Sequence, residues 1–165
     1  MSKNLINNKK LAVIGCSGLV GSSILRCALE KGYEVNGTMR NIEDSTKIKY
    51  LKKLKNFKKL NLFSAEMSKE NDFNYCLQDI STLFIACLVP TYKAFDGTLA
   101  KELDDKRGYN EIINPTVNGC INILKSAKKL DVENVVICSS TSSTNPIPPV
   151  PIKNEIDHWS DEIEQ

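Results

Sequence analysis

Two hydrophobic periods alternate along the chain. Lys10 to Ile14 is a short apolar run of the kind that forms a strand buried on both faces. Glycines follow it. Val20, Ile24, Cys27 and Ala28 then recur at helical spacing, and Gly32 stands where it would close that helix. "YEVNGTMR" predicts a second strand, bounded by Gly32 and Asn41. Asp44 or Ser45 can cap a helix that carries Ile48, Leu51 and Leu54. "KLNLFSA" alternates and predicts a third strand, Asp72 to Leu77 a short helix, and "STLFIAC" a fourth strand. Val89 to Asp105 has no clear period and reads as a surface loop. Ile113, Val117, Ile121 and Leu124 step by four, four and three residues, the mark of a long amphipathic helix with Ser126 on its exposed side. Pro115 interrupts that pattern. Either Asn114 caps a helix that starts at Pro115, or a helix that starts nearer Tyr109 kinks there. "ENVVICSS" predicts a fifth strand. Beyond Thr141 the chain turns serine-, threonine- and proline-rich, and "NPIPPVP" suits neither a helix nor a central strand.

Strands that alternate with helices imply an α/β fold, a doubly wound parallel sheet. The expected organisation is one domain over residues 1–145, followed by a proline-rich and then acidic tail over 146–165. Ligands of such sheets sit at the carboxyl ends of the strands. Here those ends are the glycine turn, Met39-Arg40, Ala65-Glu66, Ala86-Cys87 and Ser139-Ser140.

The chain's 165 residues suffice for one real core, and its hydrophobic share of 41% with 25% charged residues is that of a globular protein. A net charge of +2 gives no reason to expect nucleic acid as a partner. The lysines from Lys47 to Lys59 sit where a helix would show a solvated face. No stretch approaches the roughly 20 apolar residues of a membrane helix. The polar opening "MSKNLINNKK" does not read as a signal peptide, so a cytoplasmic chain is expected. Six scattered cysteines (Cys16, Cys27, Cys76, Cys87, Cys120, Cys138) read as small buried hydrophobes in a reducing compartment. His158, the only histidine, lacks partner spacing for a metal, and no metal site is expected. Asn36 opens a formal glycosylation sequon that a cytosolic chain would not use.

The glycine turn carries the chemistry. Gly15, Gly18 and Gly21 are spaced as G-x-x-G-x-x-G between a buried strand and an amphipathic helix. The first permits a tight turn, the second lets a pyrophosphate approach the backbone, and the third lets helix and strand pack closely. The helix N-terminus offers free N–H groups and the positive end of its dipole to phosphates. An acid that would bond the adenosine ribose is missing at the end of the second strand. Arg40 stands there, with Lys47 one or two turns on, and cations at that place suit a 2′-phosphate. NADP(H) is therefore expected over NAD(H).

These residues resemble the extended short-chain dehydrogenase/reductase superfamily, which includes NAD-dependent epimerases and dehydratases. The chain is most similar to its dihydroflavonol reductase and cinnamoyl-CoA reductase branch. "VIGCSGLVGSSILRCALEKGYEVNGTMRN", "INPTVNGCINILKSAKKLDVENVVICSSTSS" and "EIDHWSDE" carry the likeness. It implies a Rossmann-type sheet, cut off after the fifth strand, with strand order three-two-one-four-five and the fifth strand at an edge. It also implies that Gly15, Ser17, Gly18, Leu19, Val20 and Gly21 hold the pyrophosphate, and that Arg40 and Lys47 take the 2′-phosphate. Glu66 and Met67 would lie beside the adenine, where the family has Asp-Leu. Ala86 and Cys87 would line the ribose and nicotinamide side. Ser140 matches the catalytic serine that bonds the substrate carbonyl. Ile14 replaces the family's usual threonine.

The family's Tyr-x-x-x-Lys motif is not found in the sequence. Tyr33, Tyr50, Tyr75, Tyr92 and Tyr109 all precede the fifth strand, and none has lysine four positions later. The resemblance thus implies the nucleotide-binding part of a carbonyl oxidoreductase that lacks the proton donor. Two alternatives remain: a non-catalytic dinucleotide-binding sensor or partner subunit, and part of a sugar-nucleotide epimerase or dehydratase. The expected partners are the dinucleotide and, for a longer form, a small carbonyl substrate. Self-association through the exposed fifth strand is expected too.

Overall fold

The apolar run that opens the sequence lies at the centre of a parallel sheet. In the computed structural model, which describes residues 10–87, 93–140, 143, 150–154 and 156–158, β1 spans Lys10–Ile14. The other strands are β2 (Glu34–Met39), β3 (Leu60–Ser64), β4 (Ile80–Ile85) and β5 (Asn134–Ile137). Their order is β3-β2-β1-β4-β5 with every neighbour parallel, as the resemblance implies. The chain reverses direction of growth between β3 and β4, which places β1 and β4 at the switch point where such sheets bind ligands.

Alternate residues of β1 feed two cores. Leu11 and Val13 face Leu25 and Leu29 of α1 (Leu19–Glu30) and Leu51 of α2 (Ser45–Leu51). Ala12 and Ile14 face Ile123 and Ala127 of α4 (Asn114–Lys129), together with Phe73 and Leu77. Helices on both faces explain why β1 is apolar throughout and does not alternate.

Gly32 ends α1 as expected. At φ +87° it lets the Tyr33 N–H reach the Ala28 carbonyl at 3.1 Å and its own N–H reach Leu29 at 3.0 Å. Asp44, not Ser45, caps α2, accepting from the Thr46 and Lys47 N–H groups. The lysines from Lys47 to Lys59 are all exposed, as a solvated face requires.

Several expectations are corrected. The segment Asp72 to Leu77 forms turns, with a single helical bond from Leu77 N–H to the Phe73 carbonyl at 3.2 Å. Asn71 and Asp79, at φ 65° and 59°, bound it in left-handed conformations that no helix continues through. The buried side of α1 is Gly21, Leu25, Ala28 and Leu29; Val20 and Cys27 are exposed.

The stripe Ile113, Val117, Ile121 and Leu124 lies on the outer flank of its helix, 37–53% exposed, while Gly119, Ile123, Ser126 and Ala127 are buried. Small residues at three of those four places bring α4 close to the sheet and leave room for one large side chain. Ser126 is thus a buried position, not an exposed one.

Pro115 is resolved in favour of the longer helix. Helical backbone runs from α3 (Asp105–Gly108) through a π-turn over Tyr109–Ile113 into α4, with Asp104 as its cap. The wider turn relieves the clash of the proline ring with the preceding turn, and the Thr116 hydroxyl donates to the Ile112 carbonyl at 2.9 Å.

Of the loop expected over Val89 to Asp105, residues 89–92 lie outside the described residues. The rest is ordered: Lys93 bridges to Leu99, and a 3-10 turn covers Ala100–Glu102. Most of the proline-rich and acidic tail, including Trp159, also lies outside them.

Candidate dinucleotide site

The glycine turn is built by its neighbours. Gly15 adopts φ +80°, and its N–H, like that of Cys16, donates to the Thr38 carbonyl of β2, at 3.1 and 3.0 Å. A Cβ on Gly15 would stand 2.5 Å from Cβ of Cys87, which follows β4. A Cβ on Gly21 would meet the Gly15 carbonyl oxygen at 2.2 Å, so only glycine lets α1 start this close to β1. Gly18 precedes α1 and supplies no side-chain cap. The Ser22 and Ser23 hydroxyls turn away and donate to the Leu19 carbonyl, both at 3.1 Å. Leu19 and Val20 are exposed beside this uncapped N-terminus, and Ser17 is half-buried. The result is a helix N-terminus without a side-chain cap, its positive dipole end beside the glycine turn, an arrangement suited to a pyrophosphate. Ile14 is buried in the core.

The remaining strand ends open on the same edge of the sheet. Ala65 N–H donates to the Met39 carbonyl at 3.1 Å, Ala86 N–H to Ile14 at 3.0 Å, and Cys138 N–H to Ile85 at 3.0 Å. Arg40 is exposed just after β2, and its carbonyl accepts from the Ser64 hydroxyl at 2.7 Å. Among the described residues Arg40 forms no ion pair. Lys47, by contrast, lies 3.6 Å from the Asp44 carboxylate.

Glu66 is half-buried, pairs with Lys69 at 3.3 Å, and donates its N–H to Asp72 at 2.7 Å. The Met67 sulfur touches the Cys87 sulfur at 3.6 Å, and its side chain lies against Gly119 of α4. Asn122 fixes this segment by donating to the Met67 carbonyl at 2.9 Å. Burial pushes the Cys87 thiol up to about 11, with smaller contributions from Cys120 and Cys138; the Arg40 charge opposes the shift. The thiol is therefore protonated at neutral pH. Ser140 is exposed after β5, and its carbonyl accepts the Ser143 hydroxyl at 2.7 Å.

The glycine turn, the Arg40 end, Glu66, Ala86 and Ser140 thus share one edge. Met67 lies with Cys87 against α4. Sequence reasoning missed Asn36, which is buried and joins three segments. Its amide donates to the Cys76 carbonyl at 2.8 Å and accepts from Asn61 at 3.1 Å. Its depth also closes the formal sequon in the folded chain. The cysteines are free in the structure, but only Cys16 and Cys76 are buried; Cys87, Cys120 and Cys138 are half-buried and Cys27 is exposed, which departs from the buried reading.

Strand order, switch point and glycine turn together define a Rossmann-type nucleotide-binding fold. The sequence model of the NAD dependent epimerase/dehydratase family matches residues 11–160, and the chain belongs to that family. It is 31% identical to dihydroflavonol 4-reductase of Dianthus caryophyllus over 82% of this chain and 35% of that one. It is 29% identical to anthocyanidin reductase of Arabidopsis thaliana over 93% of this chain and 43% of that one. The chain therefore spans about two fifths of the length of these curated relatives. Among solved structures, yeast methylglyoxal/isovaleraldehyde reductase complexed with NADPH superposes with a TM-score of 0.65 at 23% identity, over 84% of this chain and 39% of that one. None of the described helices is long and apolar enough to cross a membrane.

Proposed function

We propose that the chain is the NADP(H)-binding portion of a carbonyl reductase similar to the dihydroflavonol reductases, and that by itself it does not transfer hydride. NADPH supplies the hydride in such chemistry. The backbone of Gly15, Ser17, Gly18, Leu19, Val20 and Gly21 holds the pyrophosphate. Arg40, helped by Lys47, holds the 2′-phosphate. Glu66 and Met67 flank the adenine side, and Ala86 and Cys87 the nicotinamide side. Ser140 bonds the carbonyl oxygen of a small substrate. Residues 1–145 form the binding unit, and 146–165 lead towards the region that selects the substrate.

One observation carries the reading: an uncapped helix start, held against β1 by Gly21, shares the sheet's carboxyl edge with an exposed guanidinium at the end of β2. Its test is a fluorescence titration with NADPH and NADH. NADPH should bind about tenfold more tightly, the order expected of one charge-assisted bond, and Arg40→Ala should remove most of the difference. Equal affinities in the unaltered chain would overturn the preference, and binding of neither cofactor would overturn the function.

A further inference from the structure

The connection between β2 and α2 sets opposite charges side by side: Arg40, Glu43, Asp44 and Lys47. Its path is fixed by side chains. Asn41 accepts the Glu43 N–H at 2.8 Å, and Ser64 holds the Arg40 carbonyl at 2.7 Å. One oxygen of Asp44 accepts from Thr46 N–H at 3.1 Å, the Thr46 hydroxyl at 2.6 Å and Lys47 N–H at 3.3 Å. The other oxygen lies 3.6 Å from the Lys47 ammonium. The same carboxylate therefore caps a helix and holds the cation assigned to the cofactor. The bonds from Thr46, with those from Lys47, keep the carboxyl below its ordinary range, so it is ionised at neutral pH.

We propose that Asp44 is a specificity-determining residue of the cofactor site: by pairing with Lys47 it withholds that cation from the 2′-phosphate and narrows the preference for the phosphorylated cofactor. This rests on the reading of Arg40 and Lys47 given above. A 2′-phosphate must share Lys47 with a carboxylate of its own sign, at a range where salt screens only partly. A 2′-hydroxyl carries no charge and meets no such penalty. Neutralising Asp44 therefore acts on NADPH and leaves NADH as an internal reference. Asparagine caps helices as well as aspartate does, so Asp44→Asn removes the charge and keeps the cap.

The test titrates the full chain with NADPH and NADH, comparing the unaltered protein with Asp44→Asn, Lys47→Met and the double variant. Asp44→Ser, a neutral cap of another shape, serves as a second probe. Asp44→Asn should tighten NADPH about threefold to tenfold and change NADH less than twofold, a gain that shrinks as salt is raised. The gain should vanish when Lys47 is also replaced, the coupling expected of two residues in contact. A ratio of affinities that is unchanged or lower in both neutral variants overturns the proposal, as does a gain that survives loss of Lys47. If the unaltered chain binds both cofactors equally and Asp44→Asn gains a preference for NADPH, the proposal stands and the assigned strength of Arg40 falls. If no variant binds either cofactor, both fall.

Discussion

Gly21 lies so close to Gly15 that a Cβ on it would stand 2.2 Å from the Gly15 carbonyl oxygen and 3.1 Å from the Cys16 Cα. Both neighbours are backbone, so neither can rotate away. Gly21→Ala should destabilise the chain by about 1–3 kcal/mol, the usual range for overpacking a tight core. It should also weaken cofactor binding, because the helix start moves with the contact. Gly108 gives the contrast: it is helical at φ −55°, and a Cβ there meets nothing within 4 Å. Gly108→Ala should be neutral or stabilise by about 0.4–1 kcal/mol. Urea denaturation of the two variants checks this. Equal effects would mean that the helix–strand contact does not set the turn.

Arg107 ties the loop after β4 to the helix that follows it. Its guanidinium reaches Asp96 at 2.9 Å and Glu111 at 2.8 Å, and Glu111 accepts the Phe95 N–H at 3.1 Å. The Asp96 carboxyl is held down to about 2, first by the Thr98 N–H and hydroxyl and then by Arg107. A depressed carboxyl pKa stabilises the fold fully above the unfolded value of about 3.9, and that contribution is lost as pH falls towards 2. NMR titration of the Asp96 carboxyl carbon should give a midpoint near 2. Arg107→Gln should raise it while leaving it below the ordinary value, because the Thr98 bonds remain. A midpoint near 3.9 in the unaltered chain would show that the anchor does not form.

The alternation of strands and helices, the glycine turn and the charged end of β2 could be read in advance because each depends on local pattern, whereas the strand order followed from the family resemblance. A strand covered on both faces must be apolar throughout, and Gly32 ends a helix because its φ is positive. The face of α4 could not be read that way. Spacing identifies an apolar stripe, but Gly119, Ser126 and Ala127 are chosen by how closely the helix approaches the sheet. The turns from Ser68 to Asp79 were hidden because Phe73 and Leu77 are buried at helical spacing without a helix. The contact of Met67 with Cys87 joins residues far apart in sequence, and no local period signals it.

Hydride transfer to a carbonyl carbon leaves charge on the oxygen that a proton donor must neutralise, and groups of this kind contribute about 10²–10⁴-fold. None of the five tyrosines is followed four residues later by lysine. Ser140 alone can orient a carbonyl, but an aliphatic hydroxyl is too weak an acid to serve as the proton donor at neutral pH. Cys87, with its thiol pushed up to about 11, holds its proton at neutral pH and is a weak general acid there. The purified 165-residue chain with NADPH and a panel of aldehydes and flavonoid ketones should show turnover near background by absorbance. Robust turnover would mean that another group supplies the proton.

The β5 strand pairs with β4 on one side, and no described residue pairs along its other side. Its apolar side chains are open as well: Val135 is 38% exposed, Val136 48% and Ile137 44%. No charge interrupts the run from Val135 to Cys138. An open row of N–H and C=O groups on such a strand invites pairing with another chain. The exposed flank of α4, with Ile113 and Val117, adds further apolar surface. The chain should therefore self-associate in isolation. Val136→Lys places a charge on the strand and should lower the mass seen by size-exclusion chromatography with light scattering. Gln78→Lys adds the same charge at an exposed turn and should leave that mass unchanged. A monodisperse, thermally stable monomer for the unaltered chain would show that the β5 edge is protected. An equal response of both variants would attribute the change to net charge alone.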